Sequence, residues 1–231
     1  MPDPVERFSS QIGKVEASLY ADLNKIASQL NQLSDTELIN IMREVNFFQD
    51  LLDRGYADAV NGLIDSYGDN LSKIVKEARK RGIRDIGGAT VRQLELLQEL
   101  DTRALLGSAN LFSERLTNEL FSGIVSGESI SSIVKRLSET VPLATHQLNV
   151  AAYDSFRQFD DLARYKVFEG ADVTWTYDGP FDDKTRDACR KTIENEIEDG
   201  PYTEEKAAAS DTPFGVRGGF NCRHSWMVHA G

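Results

Sequence analysis

A chain of 231 residues is long enough for one medium-sized domain or for a domain with an appendage, and 40% hydrophobic residues are enough to form a substantial core. The 26 basic and 37 acidic residues give a formal net charge of −11, which argues against a broad nucleic-acid-binding surface. No apolar run approaches the roughly 20 residues of a membrane helix, so we expect a soluble protein. Two cysteines are too few for a disulfide-rich secreted scaffold and favour a reducing compartment.

Helical periodicity dominates the sequence from Val5 to about Phe168. The first predicted helix carries an apolar stripe, with hydrophobic residues at steps of three or four from Phe8 to Leu33. Such a stripe packs either within the helix's own bundle or onto a partner's helices or groove. Both interpretations are open at this point.

Capping and breaking residues divide this region into several helices. Ser34 and Glu37 form a capping-box pattern, which predicts a second helix that ends at Gly55. Breaks at Gly82 and at Gly87-Gly88, and a helix start at Pro142, follow from the same rules. The further predicted helices cover 58–81, 90–106, 109–126, 129–139 and 142–170.

The pattern changes after Gly170. Val173, Trp175 and Tyr177 alternate with polar residues, which is the two-residue period of a half-buried strand. A short helix over 183–197, a loop over 199–219 and a last strand over 224–228 complete the prediction. The expected fold is therefore mainly α, with an extended multi-helix region followed by a small α+β module. The predicted domains are an N-terminal helical region (1–108), a second helical part (109–170) and the carboxy-terminal module (171–231).

Familiar catalytic signatures are missing from the sequence. It contains no GxxxxGK[ST], no GxGxxG after a strand, no GxSxG and no HExxH, so the usual nucleotide-binding, hydrolase and zinc-protease interpretations lose their support. We assign no catalytic residue.

Four thiol and imidazole side chains in the module are candidate metal ligands. Thiolates and neutral imidazoles are the donors that zinc prefers, and Cys189, Cys222, His224 and His229 would supply a four-coordinate set. Because 32 residues separate the cysteines, the geometry depends on the tertiary fold. The alternatives are a core role, since Cys189 shares a helical face with Ile193 and Ile197, and a disulfide or reactive thiol.

Charged residues flank these candidates. Asp182 and Asp183 could act as an acid–base pair or hold a divalent cation, but carboxylates before a helix more often cap its N–H groups. Arg186 can pair with one of them. Arg223 is predicted to reach back to this acidic turn as a bidentate clamp, which would join the two ends of the module.

The order of these elements resembles that of the phage Mu F-like minor head protein family. The resemblance rests on the strand residue Trp175, on DDKTRDAC from Asp182 to Cys189, on the closing motif NCRH from Asn221 to His224, and on the helix that leads into the strand. It covers roughly residues 120–231. Before the closing motif, where the family has Pro-x-x-His, this chain has Gly218-Gly219-Phe220, and the exchange of His and Cys at positions 189 and 224 is one that metal ligands tolerate.

The resemblance implies a minor capsid or head morphogenesis protein of a tailed phage. Such a protein would lie inside the head near the portal vertex in a few copies, after assembly in the host cytoplasm, with the portal and other capsid proteins as partners. Packaged DNA would be nearby, but no dedicated nucleic-acid site, membrane contact or cofactor is expected, apart from the candidate zinc ion. The alternatives are a metal-dependent enzyme or toxin-like effector packaged in the virion, and a head-to-tail connector.

Overall fold

The computed structural model describes residues 3–83 and 87–229 and confirms a mainly α fold with a small α+β module at the carboxy-terminal end. Residues 84–86, where the sequence predicts part of a break between helices, lie outside the described residues. The elements are α1 Pro4–Leu30, α2 Asp35–Glu44, α3 Phe47–Asp53, α4 Tyr56–Lys80, α5 Gly88–Val125, α6 Ile130–Thr140, α7 His146–Phe168, β1 Trp175–Asp178, α8 Asp187–Asp199, α9 Glu204–Ala208 and β2 Ser225–Val228.

Helix α1 buries most of its predicted apolar stripe. Asp3 caps its first turn by accepting a hydrogen bond from the backbone N–H of Val5, and Pro4 occupies the first helical position. The stripe is buried from Phe8 to Leu23 and packs against α6. This part of the stripe therefore belongs to the protein's own bundle.

The second predicted helix is two helices. Ser34 and Glu37 form the expected capping box at the start of α2, which confirms that part of the prediction. The helix then stops at Val45, whose backbone is extended, and the Asn46 side chain caps α3. The prediction of one helix through Leu52 was wrong because Asn46 competes as a new N-cap.

Two other helix boundaries differ from the predictions. The two helices predicted over 90–106 and 109–126 form the single helix α5, which ends at Val125 and in which Gly107 is tolerated as an ordinary helical residue. Helix α7 begins at His146 rather than at Pro142, because the Thr145 hydroxyl accepts the backbone N–H of Leu148 and caps its first turn.

The carboxy-terminal module is organised around a two-stranded antiparallel sheet. Its register pairs Trp175 with Val228 and Tyr177 with Trp226. Helix α8 packs on β1, and the loop predicted over 199–219 contains the short helix α9. Trp175 and Trp226 are fully buried, so this small module has an aromatic core.

The chain divides into two compact units, residues 1–63 with 102–149 and residues 64–101 with 150–231. An open apolar groove of about 220 Å³ lies in the first unit. Carboxylates at its rim are held by Arg54, which forms ion pairs with Asp22 and Asp50. The side chains that line the groove are mainly aliphatic and include Leu19, Leu23, Ile26, Leu30, Leu38, Ile41, Val45, Leu120, Ile124, Ile130 and Val134.

Among the described helices, none combines the length and the apolar character needed to cross a membrane.

Candidate metal centre

The turn between β1 and α8 is held together by its own polar groups. The Thr185 hydroxyl donates to the carbonyl oxygen of Pro180 at 2.8 Å, and the carboxylate of Asp182 accepts the backbone N–H of Lys184. Arg190 donates to the backbone carbonyl of Asp182. These hydrogen bonds connect the turn to the start of α8, whose first turn contains Cys189 and which packs on β1.

Arg223 clamps this turn from the other end of the module, as the sequence predicted. Its guanidinium donates two hydrogen bonds to the carboxylate of Asp182, at 2.8 and 2.5 Å. The Arg223 hydrogen bonds hold the pKa of Asp182 well below its usual range. Asp183 lies exposed beside the pair, and its negative charge helps to raise the pKa of Arg223, although the pair with Asp182 is the main cause.

A second arginine closes the loop that precedes β2. Arg186 donates to the backbone carbonyls of Gly218 and Phe220, at 2.5 and 2.6 Å. Asn221 adopts a positive φ of 56°, and its backbone N–H donates to the carboxylate of Asp154 on α7. These contacts position residues 221–224, which contain the closing motif, next to α8.

The structure brings three of the four predicted metal ligands together, and we call them the thiol–imidazole cluster: Cys189, Cys222 and His224. The two sulfurs lie 3.7 Å apart, and the Cys222 sulfur lies 3.8 Å from Nδ1 of His224. The ligand atoms of all three residues fall within 4.8 Å of one another. The cysteines are free thiols, and the three residues are only 1–3% exposed.

His229 is not part of this group. It follows β2, its backbone N–H donates to the carbonyl of Thr174, and its carbonyl accepts from Arg81. The prediction that His229 completes the ligand set was therefore wrong, because the strand carries this residue past the cluster.

Tyr177 and the glycine backbone surround the two sulfurs. The Tyr177 hydroxyl lies 3.5 Å from the Cys189 sulfur and 3.6 Å from the Cys222 sulfur. The Tyr177 ring stacks on the ring of His224 with an interplanar angle of 13°. A Cβ atom at Gly218 would overlap the Cys189 sulfur and lie 3.1 Å from the Cys222 sulfur, so only glycine fits there.

One hydrogen bond fixes the orientation of the His224 ring. Nε2 lies 2.9 Å from the carbonyl oxygen of Pro180, which can only accept, so Nε2 carries the proton and Nδ1 faces Cys222 as a lone pair. A side chain at Gly179 would collide with this ring. Burial lowers the pKa of His224, which favours the neutral imidazole.

The two thiols differ in their tendency to ionise. Burial raises the pKa of Cys189. Burial acts in the same direction on Cys222, but the backbone N–H groups of His224 and Gly218 and the Tyr177 hydroxyl outweigh it and lower the pKa of that thiol. The two sulfurs therefore lie in different electrostatic environments, beside an imidazole whose neutral form is favoured.

Three further expectations at this site need correction. Helix α8 starts at Asp187, so Asp182 and Asp183 do not cap it; Asp182 stabilises the preceding turn instead. Arg186 bonds backbone carbonyls rather than an acid. The proposed core face of α8 holds for Cys189 but not for Ile197, which is 77% exposed.

Sequence reasoning missed the residues that support the cluster. The alternating pattern predicts Tyr177 only as a strand residue, although it does place it on the buried face of β1 with Trp175. Arg217 lies almost fully buried in the loop over 199–219, where it bonds the Cys222 carbonyl and the carboxylate of Asp154. Nothing in the local pattern distinguishes this arginine from a solvated loop residue.

No protein family, curated protein or solved structure matches the chain.

Proposed function

We propose that this chain is a minor capsid or head morphogenesis protein of a tailed phage. In this proposal it lies inside the head near the portal vertex and aids assembly or DNA delivery. The resemblance to the Mu F-like minor head proteins is the starting point, and the geometry of the carboxy-terminal module supports it. Assembly takes place in the host cytoplasm, and the finished protein resides in the virion.

The observation that carries the proposal is the meeting of the two most specific motif segments. The acidic turn and the closing motif are separated by more than 30 residues, yet Arg223 donates hydrogen bonds to Asp182, and Cys222 contacts Cys189. This convergence is the arrangement that we expect if the two segments form one site, and it supports the proposal.

A structural role for the module fits the burial of its polar centre. An enzyme needs an opening through which substrate reaches the reacting groups. Cys189, Cys222 and His224 are almost fully buried, beneath Gly218 and the ring of Tyr177. This favours a compact scaffold over the packaged metal-dependent enzyme that was the main alternative.

Partner contact is assigned to the N-terminal helical region, residues 1–108. The apolar groove in the first unit is lined mostly by residues of this region, and its rim carboxylates are already paired with Arg54. The groove therefore offers apolar contact rather than charge, which suits an apolar helix of the portal protein. A net charge of −11 directs the protein toward protein contacts and limits binding to packaged DNA.

The test is a pull-down of the portal protein encoded in the same genome, with the full chain as bait. Ile41, a groove residue that is 38% exposed, is changed to glutamate, and Leu111, which is 67% exposed and lies outside the groove residues, receives the same change as a control. We expect wild type and Leu111→Glu to retain the portal, and Ile41→Glu to retain far less. Failure of the wild type to bind the portal would contradict the proposed partner, whereas equal binding by Ile41→Glu would contradict the groove as the contact surface.

A further inference from the structure

We infer that the thiol–imidazole cluster binds one zinc ion through the Cys189 and Cys222 sulfurs and Nδ1 of His224, with the Tyr177 hydroxyl facing the fourth coordination position. The ion would join α8 to the segment that leads into β2. This inference depends on the geometry of the module alone and holds whether or not the protein belongs to a phage head.

The spacing of the donor atoms is the first argument. Zinc–sulfur bonds of about 2.3 Å and zinc–nitrogen bonds of about 2.0 Å place tetrahedral ligands about 3.8 Å apart for two sulfurs and about 3.5 Å apart for sulfur and nitrogen. The observed separations are 3.7 Å between the sulfurs and 3.8 Å between the Cys222 sulfur and Nδ1 of His224. The cluster is thus already close to the size of a zinc site.

The hydrogen bonding of the ligands is the second argument. Histidines that bind metals usually donate their other ring N–H to a carbonyl or carboxylate, which fixes the ring and the tautomer. Nε2 of His224 makes this bond to the Pro180 carbonyl, so Nδ1 is left as the donor atom.

The donor chemistry selects the metal. Two thiolates and an imidazole are soft or borderline ligands, which favour zinc over magnesium or calcium. The Tyr177 hydroxyl lies 3.5 and 3.6 Å from the two sulfurs, close to the spacing of about 3.5 Å between a sulfur and an oxygen on one tetrahedral zinc ion. Burial of the cluster closes the site to substrates, so the ion acts on stability rather than on catalysis.

The test is a metal analysis of the full-length, untagged protein purified without chelators under reducing conditions. We expect about one zinc ion per chain in the wild type. Cys222→Ser should lose most of it. Among the three histidines of the chain, His229 offers a matched control outside the cluster, so His229→Ala should keep the wild-type zinc content. Tyr177→Phe should still bind zinc through the other three residues, but with an affinity lowered by about 10–100-fold, because the hydroxyl that faces the fourth coordination position is lost.

Cobalt titration of metal-free wild-type protein keeps the test decisive if the Cys222 variant does not fold. Tetrahedral cobalt bound by two thiolates shows an intense sulfur-to-metal charge-transfer band, and we expect this band to saturate at about one equivalent. Folded wild-type protein that contains no zinc and gives no such band would overturn the inference. A Cys189–Cys222 disulfide under the same reducing conditions would also overturn it. A Tyr177→Phe protein that binds zinc with wild-type affinity would contradict the assignment of the Tyr177 hydroxyl to the fourth coordination position.

Discussion

Arg217 joins the loop before β2 to α7 through buried ion pairs. Its side chain is 2% exposed, and its guanidinium lies 2.7 Å from Asp154 and 3.4 Å from Asp161, two carboxylates of α7. The same guanidinium donates to the Cys222 carbonyl. Removing this buried cation is costly, because the Asp154 carboxylate, and Asp161 once it ionises above about pH 7, would then lack a charge partner.

Arg217→Met should therefore lower the free energy of unfolding by about 3–5 kcal/mol. Chemical denaturation followed by tryptophan fluorescence measures this directly, since Trp175 and Trp226 lie in the core of the module. Lys184→Met, at an exposed position in the Asp182 turn, is the matched control and should change stability by no more than about 0.5 kcal/mol. A small effect at Arg217 would mean that the buried ion pairs are not important for stability.

Asp161 gives the stability of the protein a defined pH dependence. Burial raises its pKa to about 7, although the nearby Arg217 acts to lower it. The folded state therefore keeps a proton that the unfolded chain releases at its ordinary pKa of 3.8. The contribution of Asp161 to the free energy of unfolding is therefore largest at acid pH and declines as the pH rises toward 7.

Asp161→Asn should abolish this decline. Its amide oxygen can still accept the backbone N–H of Trp226, which the wild-type carboxylate accepts at 3.2 Å. We expect the free energy of unfolding of the variant, relative to wild type, to rise between about pH 4 and pH 7 and to level off above that range. Denaturation curves across this pH range provide the measurement, and a difference that does not vary with pH would contradict the account.

At the scale of elements, a tyrosine on α1 donates hydrogen bonds to backbone carbonyls near the end of α6. The Tyr20 hydroxyl on α1 donates to the carbonyls of Leu137 and Val141, at 3.1 and 2.7 Å, near the end of α6. The Leu137 carbonyl also accepts the backbone N–H of Val141, whereas the Val141 carbonyl lies at the end of the helix, where carbonyls have no partner within the helix, so the tyrosine supplies its hydrogen bond.

Tyr20→Phe keeps the packing of the ring and removes only these hydrogen bonds. The expected loss is about 1–3 kcal/mol, because the buried Val141 carbonyl loses the hydrogen bond from Tyr20, whereas the Leu137 carbonyl keeps the one from the Val141 N–H. Thermal or chemical unfolding measures it. Tyr153→Phe on α7, at a half-buried ring that Arg157 covers, is the comparison and should have a smaller effect. Equal effects of the two variants would show that the link between α1 and α6 contributes nothing specific.

Helix and strand type followed from periodicity, whereas element boundaries depended on competition between caps. The stripe of α1 and the capping box at Ser34 are strong local signals, and both appear in the structure. The break at Asn46 depends on a cap that competes with continuation of the helix, and the local pattern does not record that α5 continues through Gly107. The same limit explains why α9 was missed, since five residues contain too little periodicity to distinguish a helix from a loop.

The candidate site was predictable to the extent that residue chemistry alone defines it. Cysteine and histidine identify possible metal ligands wherever they occur, and the sequence correctly singled out the three residues that meet. It could not exclude His229, because the distance from the cluster depends on where β2 runs. The roles of Tyr177 and Gly218 arise only from tertiary contacts with the sulfurs.

At the scale of the whole molecule, the chain is acidic and mainly helical, and contacts between its two motif segments hold the carboxy-terminal module together. The Arg223–Asp182 pair and the thiol–imidazole cluster fix the module internally. The N-terminal helical region supplies the surface that is proposed to contact the portal protein. The central claim is that this assembly serves as a component of a phage head.

The most direct test is quantitative mass spectrometry of purified particles from the phage or induced prophage whose genome encodes the chain. The account predicts that the protein is present in DNA-filled heads and in assembling heads, far below the level of the major capsid protein. Its absence from both finished virions and assembling heads would contradict the proposed function, whatever the metal content of the isolated protein.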